Sequence, residues 1–187
     1  MTAEATRAWV ADVVRSGLWP AAEVREQAVA AVRADHPDLP AEQTADGWIA
    51  EAEAAWAADA ATWPGVTDHD RLLQAFAQLE ELGIVVLQGV VDHWVARDEL
   101  DRRTPKPAGI AWFTATDVWH AIDAGMLEVN LWHGTTANAA PGDALLDQAL
   151  EAFSSAGLPA HFDEGRIEVT ARWQRRPGQD SSVREGS

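Results

Sequence analysis

The sequence predicts an α+β protein: a mainly antiparallel sheet of about five strands with helices on one face, preceded by a three-helix N-terminal layer. Apolar residues recur with helical spacing through residues 1–60, whereas short β-branched segments appear only after Gly83. Two of those segments, Met126–His133 and 166–173, alternate apolar and polar residues. Such alternation is typical of a sheet with one packed and one polar face, and it argues against a parallel sheet buried on both sides.

Residues 1–60 are expected to form three one-sided helices. Val10, Val13 and Val14 lie on one side of the first helix, and Pro20 and Pro40 precede the next two. Because none of these helices is apolar all round, each should pack one face on a shared body. We therefore expect one compact unit with a helical layer over 1–61, an α+β body over 62–175 and a disordered tail over 176–187.

The body contains recognisable start and stop signals. Thr67, followed by two aspartates, predicts a helix N-terminus because its hydroxyl and their carboxylates meet unpaired N–H groups. That helix should end at Gly83. Further helices are expected after Thr114 and Pro141, and residues 91–103 are ambiguous between helix and loop. Strands are expected over Ile84–Val90, Gly109–Thr114, Met126–His133, 160–162 and 166–173.

Composition excludes several classes of function. The 187 residues contain 14 Lys and Arg against 30 Asp and Glu, a formal charge of −16, which disfavours binding to nucleic acid or an anionic membrane. With no Cys there is no disulfide, thiolate zinc site or cysteine nucleophile. No segment is long and apolar enough to span a membrane, and the N-terminus lacks the apolar core of a signal peptide, so a cytoplasmic protein is expected.

The chain has 10 Trp and no Tyr. This composition favours a Trp-rich core in an Ala-rich chain, and the alternative is an exposed Trp that lines a ligand or partner groove. Histidine spacing matches no metal-binding motif, although His93 and His133 could meet in space. No nucleophile elbow and no nucleotide-binding loop occurs either, so neither a metal nor a cofactor is predicted.

The polar face of the sheet is the best candidate for a binding surface. It combines hydrogen-bond donors, acceptors, a planar cation and an aromatic ring, which suits a small polar ligand or a protein partner. The alternative is an ordinary solvated sheet face, or one covered by the N-terminal helices. The candidate residues are Glu128, Asn130, Trp132, Glu168, Thr170 and Arg172.

A second candidate is a carboxylate-lined cleft between the helical layer and the sheet. Its residues would be Asp68, Asp70, Arg71 and Asp117. The structural alternative is that the aspartates occupy first helical turns and that Arg71 pairs locally or holds the helix start against another element.

These observations favour a non-catalytic interaction or binding protein, with a protein or a small polar ligand as its partner. The other hypothesis is an enzyme or small-ligand binder that uses the carboxylate-lined cleft. A deep pocket with converging, desolvated carboxylates would favour the enzyme. The sequence does not reveal the oligomeric state.

Several segments together resemble a family of bacterial proteins of unknown function. The resemblance rests on the run W-P-G-V-T-D-H-D-R-L from Trp63 to Leu72, followed by Ala75-Phe76 and Gly83-Ile84. Later matching pieces are Ala156-Gly157-Leu158-Pro159, Arg166-Ile167 and the Trp173-Gln174-Arg175-Arg176 run. The resemblance spans most of the chain and implies an organisation without implying a chemistry.

The chain also departs from that family's pattern. His69 stands where the family usually has Cys, and residues 113–117 retain only the Asp of an aromatic-His-x-Gln-Asp run. Thiol or metal chemistry at these positions is therefore not expected in this chain.

Overall fold

The computed structural model describes residues 1–179 and contains seven helices and five strands within them. The elements, in chain order, are α1 (Ala3–Ser16), α2 (Ala21–Asp35), α3 (Ala41–Ala60), α4 (Asp68–Glu81), β1 (Ile84–Val90), α5 (His93–Arg102), β2 (Gly109–Thr114), α6 (Ala115–Asp123), β3 (Met126–His133), α7 (Ala144–Ser155), β4 (Ala160–Asp163) and β5 (Arg166–Thr170). Across residues 1–179, every helix is too short or too polar to span a membrane.

The chain divides into two compact units. Unit 1 is Met1–Pro64 together with residues 175–179, and unit 2 is Gly65–Gln174. Most of the segment expected as a disordered tail, residues 180–187, lies outside the described residues. Residues 176–179 are described and belong to unit 1.

Unit 1 is built from α1, α2 and α3, and the second and third helices start after the prolines that the sequence indicates. The Thr2 hydroxyl accepts from the Ala5 N–H at 3.2 Å and begins α1, while Pro20 and Pro40 precede α2 and α3. The interior consists of small and β-branched side chains that allow close helix packing. The buried residues include Val10, Val13, Ala28, Val32 and Ala45.

Arg175 holds residues 175–179 against the helices of unit 1. Its side chain is buried, and its Nη1 donates to the carbonyl of Gly17, the residue that ends α1 in a left-handed conformation. The Trp56 indole on α3 donates to the Arg175 carbonyl at 2.8 Å, and Arg176 donates to the Ala60 carbonyl at 3.3 Å. The guanidinium thereby supplies a cation and donors to the carbonyl end of a helix.

Unit 2 contains a five-stranded mixed sheet of order β1-β2-β3-β5-β4. Strands β2, β3, β5 and β4 pair antiparallel, whereas β1 and β2 run parallel. The α+β class and the mainly antiparallel sheet predicted from the sequence are thus confirmed. The parallel pair requires a crossover connection, and α5 provides it.

One face of the sheet forms the core of unit 2. Leu127, Val129 and Leu131 of β3 are each at most 1% exposed, and Ile167 and Val169 of β5 are equally buried. Phe113 of β2 stacks on Phe76 of α4 with ring centroids 5.6 Å apart, and Phe76 meets Phe153 of α7 edge-on at 6.2 Å. Helices α4 and α7 therefore cover this face through aromatic contacts.

Helix α5 packs on the opposite side of strands β1 and β2. Ala96 and Leu100 of α5 form a cluster with Ile110 and Trp112, which alternate along β2 with the core-facing Phe113. The sequence predicted helices on one face of the sheet. It did not predict α5 on the second face, because the mixed charges of residues 91–103 obscured its two buried positions. The apolar half of this second face is accordingly covered.

The expectation of a Trp-rich core was largely wrong. Only Trp112 and Trp173 of the 10 Trp side chains are buried, seven are half-buried and Trp94 is 54% exposed. Leu, Val, Ile, Ala and Phe fill the interior instead. A large ring with a polar N–H is commonly placed at a boundary, where one edge meets water.

The Gly17→Ala substitution tests the Arg175 anchor. Gly17 has φ +61°, and a Cβ there would lie 2.8 Å from Arg175 Nη1. We expect a loss of about 2–4 kcal/mol in the free energy of unfolding, since left-handed strain and displacement of a buried side chain add. Gly142→Ala is the control, with φ +94° and no atom within 4 Å of the added Cβ, and it should cost only about 1–2 kcal/mol. Equal losses for the two variants in denaturant unfolding would show that the Arg175 side chain moves away from the added Cβ at no cost in free energy.

Candidate functional site

Asp70 and Asp117, two aspartates of the expected cleft, each form a capping box with the threonine three residues earlier. Asp70 Oδ2 accepts from the Thr67 N–H at 2.8 Å, and the Thr67 hydroxyl accepts from the Asp70 N–H at 3.2 Å. The same reciprocal pair joins Asp117 and Thr114 at the start of α6, at 2.7 and 3.4 Å. Each carboxylate therefore satisfies backbone donors at a helix N-terminus.

Asp68 and Arg71, the other two residues of the expected cleft, form an ion pair within the first turn of α4. Their Oδ1 and Nη1 atoms are 2.9 Å apart, and the Arg71 side chain is 42% exposed. The second oxygen of Asp68 accepts from the backbone N–H of Arg172 at 3.2 Å. Within unit 2, Asp68 rather than Arg71 links the start of α4 to the segment that follows β5.

The polar sheet face contains two rows of side chains in cross-strand register. In the first row, His161 of β4 lies opposite Glu168 of β5, which lies opposite Glu128 of β3. His161 Nε2 is 3.4 Å from Glu168 Oε2. Two carboxylates directly opposite each other repel, so each needs a nearby cation.

The second row supplies that cation for Glu128. Asp163 of β4 lies opposite Arg166 of β5, which lies opposite Asn130 of β3. The Arg166 guanidinium reaches diagonally to form an ion pair with Glu128. The side chains of Glu128 and Glu168 are 21% and 28% exposed, so solvent reaches both carboxylates.

Two tryptophans border these rows. Trp132 is half-buried and meets Trp112 edge-on, with ring centroids 5.3 Å apart, and His93 at the start of α5 lies 6.4 Å from Trp132. Asn130 Nδ2 donates to the Trp112 carbonyl at 3.5 Å. Among residues 1–179, the buried Trp112 indole N–H has no hydrogen-bond partner. The boundary between the covered and the polar halves of this face is therefore aromatic.

The structure brings together four of the six residues predicted for the polar face: Glu128, Asn130, Trp132 and Glu168. Thr170 lies opposite Met126 at the end of β5, and Arg172 follows the strand. Sequence reasoning missed Arg166, His161 and Asp163 as members of the rows. The alternation of β5 could have identified Arg166, whereas His161 and Asp163 required the pairing register of the hairpin.

His133 and Asp143 form a separate pair across the loop between β3 and α7. Their Nε2 and Oδ2 atoms are 2.9 Å apart, and Asp143 Oδ2 also accepts from the Ala140 N–H at 2.8 Å. These two hydrogen bonds, that from His133 foremost, hold the pKa of Asp143 below its ordinary value. Within residues 1–179, no three His, Cys, Asp or Glu side chains are arranged to hold a metal ion.

The fold and the site together describe an α+β protein whose mixed sheet carries two polar rows beside an aromatic border. The chain belongs to the family described as Domain of unknown function (DUF6891), whose model matches residues 1–177. Neither a curated protein nor a solved structure is significantly similar to it. Membership in an uncharacterised family, which the motif resemblance implied, is confirmed.

Single substitutions test the assignment of the aspartates to helix capping. Thr67→Ala and Thr114→Ala should each lower the free energy of unfolding by about 1 kcal/mol, because each removes a helix cap. Arg71→Ala should cost at most about 1 kcal/mol, since its ion pair is solvent-exposed. The exposed Thr116→Ala is the control and should change stability by less than about 0.5 kcal/mol. A loss of several kcal/mol in Arg71→Ala would instead identify a buried structural arginine.

The lowered pKa of Asp143 predicts a pH dependence. A lowered carboxyl pKa stabilises the folded state above the ordinary value of 3.8, and this contribution is lost as the pH falls through the lowered pKa. In His133→Gln the pKa of Asp143 should rise toward 3.8, because the largest cause of the shift is removed. Carboxyl NMR titration measures it, with the exposed His120→Gln as control. An unchanged pKa in His133→Gln would mean that the Ala140 N–H alone accounts for the shift.

Proposed function

We propose that this protein is a non-catalytic binding module whose ligand-contacting surface is the polar face of the sheet. The observation that carries the proposal is the cross-strand row of His161, Glu168 and Glu128, which lies next to the row containing Asn130 and Arg166. Strand pairing holds these side chains at fixed spacing, so a ligand would meet a preformed array. Preformed polar groups beside an aromatic ring are typical of ligand sites.

Charge indicates the chemistry of the ligand. Within the two rows, three carboxylates, those of Glu128, Glu168 and Asp163, accompany one guanidinium, that of Arg166. At neutral pH the array therefore favours a ligand that carries ammonium or hydroxyl donors, since carboxylates only accept hydrogen bonds. The formal charge of −16 on the whole chain supports the same preference and disfavours nucleic acid.

The aromatic border supports a role in binding as well. Trp132 remains half-buried although neighbouring Leu131 is only 1% exposed. An indole at such a boundary offers an apolar surface next to polar groups, which suits the methylene chain of a cationic side chain or the face of a sugar. We place this function in the cytoplasm, in keeping with the acidic, cysteine-free composition.

The alternative of an enzyme with a carboxylate-lined cleft has less support. Asp70 and Asp117 already hold helix N-termini through capping boxes, and Asp68 is paired with Arg71. A general acid or base needs a carboxyl group that is available to a substrate proton. These capping and pairing interactions support a structural role for the motif residues.

Titration with small probes tests the proposal. Lysine, spermidine and glucose serve as donor-bearing probes, and citrate as the anionic comparison, with binding followed by NMR shifts of the indole N–H signals. We expect a donor-bearing probe to shift the Trp132 signal, assigned through Trp132→Phe, and citrate to leave it unchanged. Carboxylates facing the probe would account for this selectivity.

A double variant provides the matched control. Glu128→Gln with Glu168→Gln should weaken probe binding by about tenfold, because two charge-assisted hydrogen bonds become neutral ones. The exposed pair Glu26→Gln with Glu53→Gln makes the same change in net charge elsewhere and should leave binding intact. Unaltered binding in the first double variant, or equal binding of citrate, would refute the proposal.

A further inference from the structure

The two edges of the sheet in unit 2 differ in how they are protected. Strand β4 is four residues long, follows Pro159 and carries His161 and Asp163. Short length, proline and charge are the features by which proteins prevent edge strands from pairing further. Strand β1, at the other edge, is seven residues long and reads I-V-V-L-Q-G-V, with neither charge nor proline.

Strand β1 pairs only with β2 in the part of the chain that the structure describes. Its residues from Val85 to Val90 are half-buried, and Val85, Leu87 and Val90 pack against the α5 cluster, so the part of β1 left open is its backbone edge. The regular pairing runs over the first four residues, and a bulge follows between Leu87 and Val90 where Gly89 has φ +64°. A regular apolar edge of four residues therefore remains open to a further strand.

Exposed apolar side chains lie at both ends of this strand. Leu82, just before β1, is 42% exposed, and Val91, just after it, is 87% exposed. Trp94 and Val95 in the first turn of α5 are 54% and 39% exposed. In the described part of unit 2, Val66 is the one exposed large hydrophobic residue that lies outside residues 82–95. These exposed apolar side chains therefore flank the unpaired edge of β1.

The charge around β1 is negative. Residues 78–98 contain the acids Glu80, Glu81, Asp92 and Asp98 and a single base, Arg97. The bases that follow, Arg102, Arg103 and Lys106, form ion pairs with Glu99 and Asp101. The Arg97 guanidinium lies over the Trp94 ring at 5.5 Å. A second copy of this chain would bring the same negative segment against itself, whereas a basic segment would complement it.

We propose that the free edge of β1 accepts an added strand from another protein. The partner segment is extended, carries apolar side chains at alternate positions and has Lys or Arg at its flanks. Its backbone would pair with the four regular residues of β1, and its side chains would continue the apolar surfaces on both sides of the sheet. This surface is separate from the polar rows on β3, β4 and β5, so the inference goes beyond the proposed function.

A synthetic peptide tests the added strand directly. The probe is a nine-residue peptide of alternating Val and Thr with two Lys at each end. We expect it to bind, as measured by fluorescence anisotropy, and to slow amide hydrogen exchange within Ile84–Leu87 by about tenfold or more. A version with Pro at its centre should not bind, since Pro lacks the backbone donor, and a version with Glu at its ends should bind more weakly.

Two double variants locate the site. Leu82→Lys with Val91→Lys places cations at both ends of β1 and should weaken binding of the Lys-flanked peptide by about tenfold. The control is Leu39→Lys with Val66→Lys, which changes the same residue types at positions 39% and 60% exposed and should leave binding unchanged. Thermal unfolding of both variants verifies that they are folded.

Three results would overturn the proposal. The first is no binding of the peptide to the folded protein. The second is binding that the Leu82 and Val91 variants do not weaken, which would place the peptide elsewhere. The third is a protein that dimerises in sedimentation equilibrium with protection of the β1 amides, which would make a second copy the occupant.

Discussion

The strict alternation of side chains along β3 and β5 is the constraint on which unit 2 depends. Leu127, Val129 and Leu131 must all lie in the core, so Glu128 and Asn130 between them must lie on the opposite face. A slip of one residue in strand register would exchange these two sets and bury a carboxylate. The strand register that buries these apolar side chains therefore also aligns the polar rows.

Much of the fold could be predicted because its signals are local. Strand β1 begins after Gly83, β2 begins at Gly109 and β3 lies between Gly125 and Gly134. Thr67 and Thr114 start helices through side-chain oxygens three residues from their partners. The parallel pairing of β1 with β2 could not be predicted, because it depends on where α5 packs. That helix shows only Ala96 and Leu100 as buried positions among charged residues, too few for a clear helical stripe.

The candidate site was predictable to the same extent. Alternation within one strand predicted Glu128 and Asn130 on a common face and Glu168 on the polar side of β5, and the same rule could have identified Arg166. The contacts of His161 with Glu168 and of Arg166 with Glu128 depend on register between strands, which no single strand encodes. The pair of His133 and Asp143 is ten residues apart across a loop, and neither residue type nor spacing indicates that the loop folds back.

The return of Arg175 to the end of α1 has a consequence for the order in which the chain becomes structured. Unit 1 is assembled from two separated stretches, and unit 2 is one uninterrupted stretch between them. In topological terms, unit 2 is an insertion in unit 1. During synthesis the sheet has all its residues before the Arg175 guanidinium emerges to meet the Gly17 carbonyl, so the three-helix unit is the last of the two to acquire its full set of contacts.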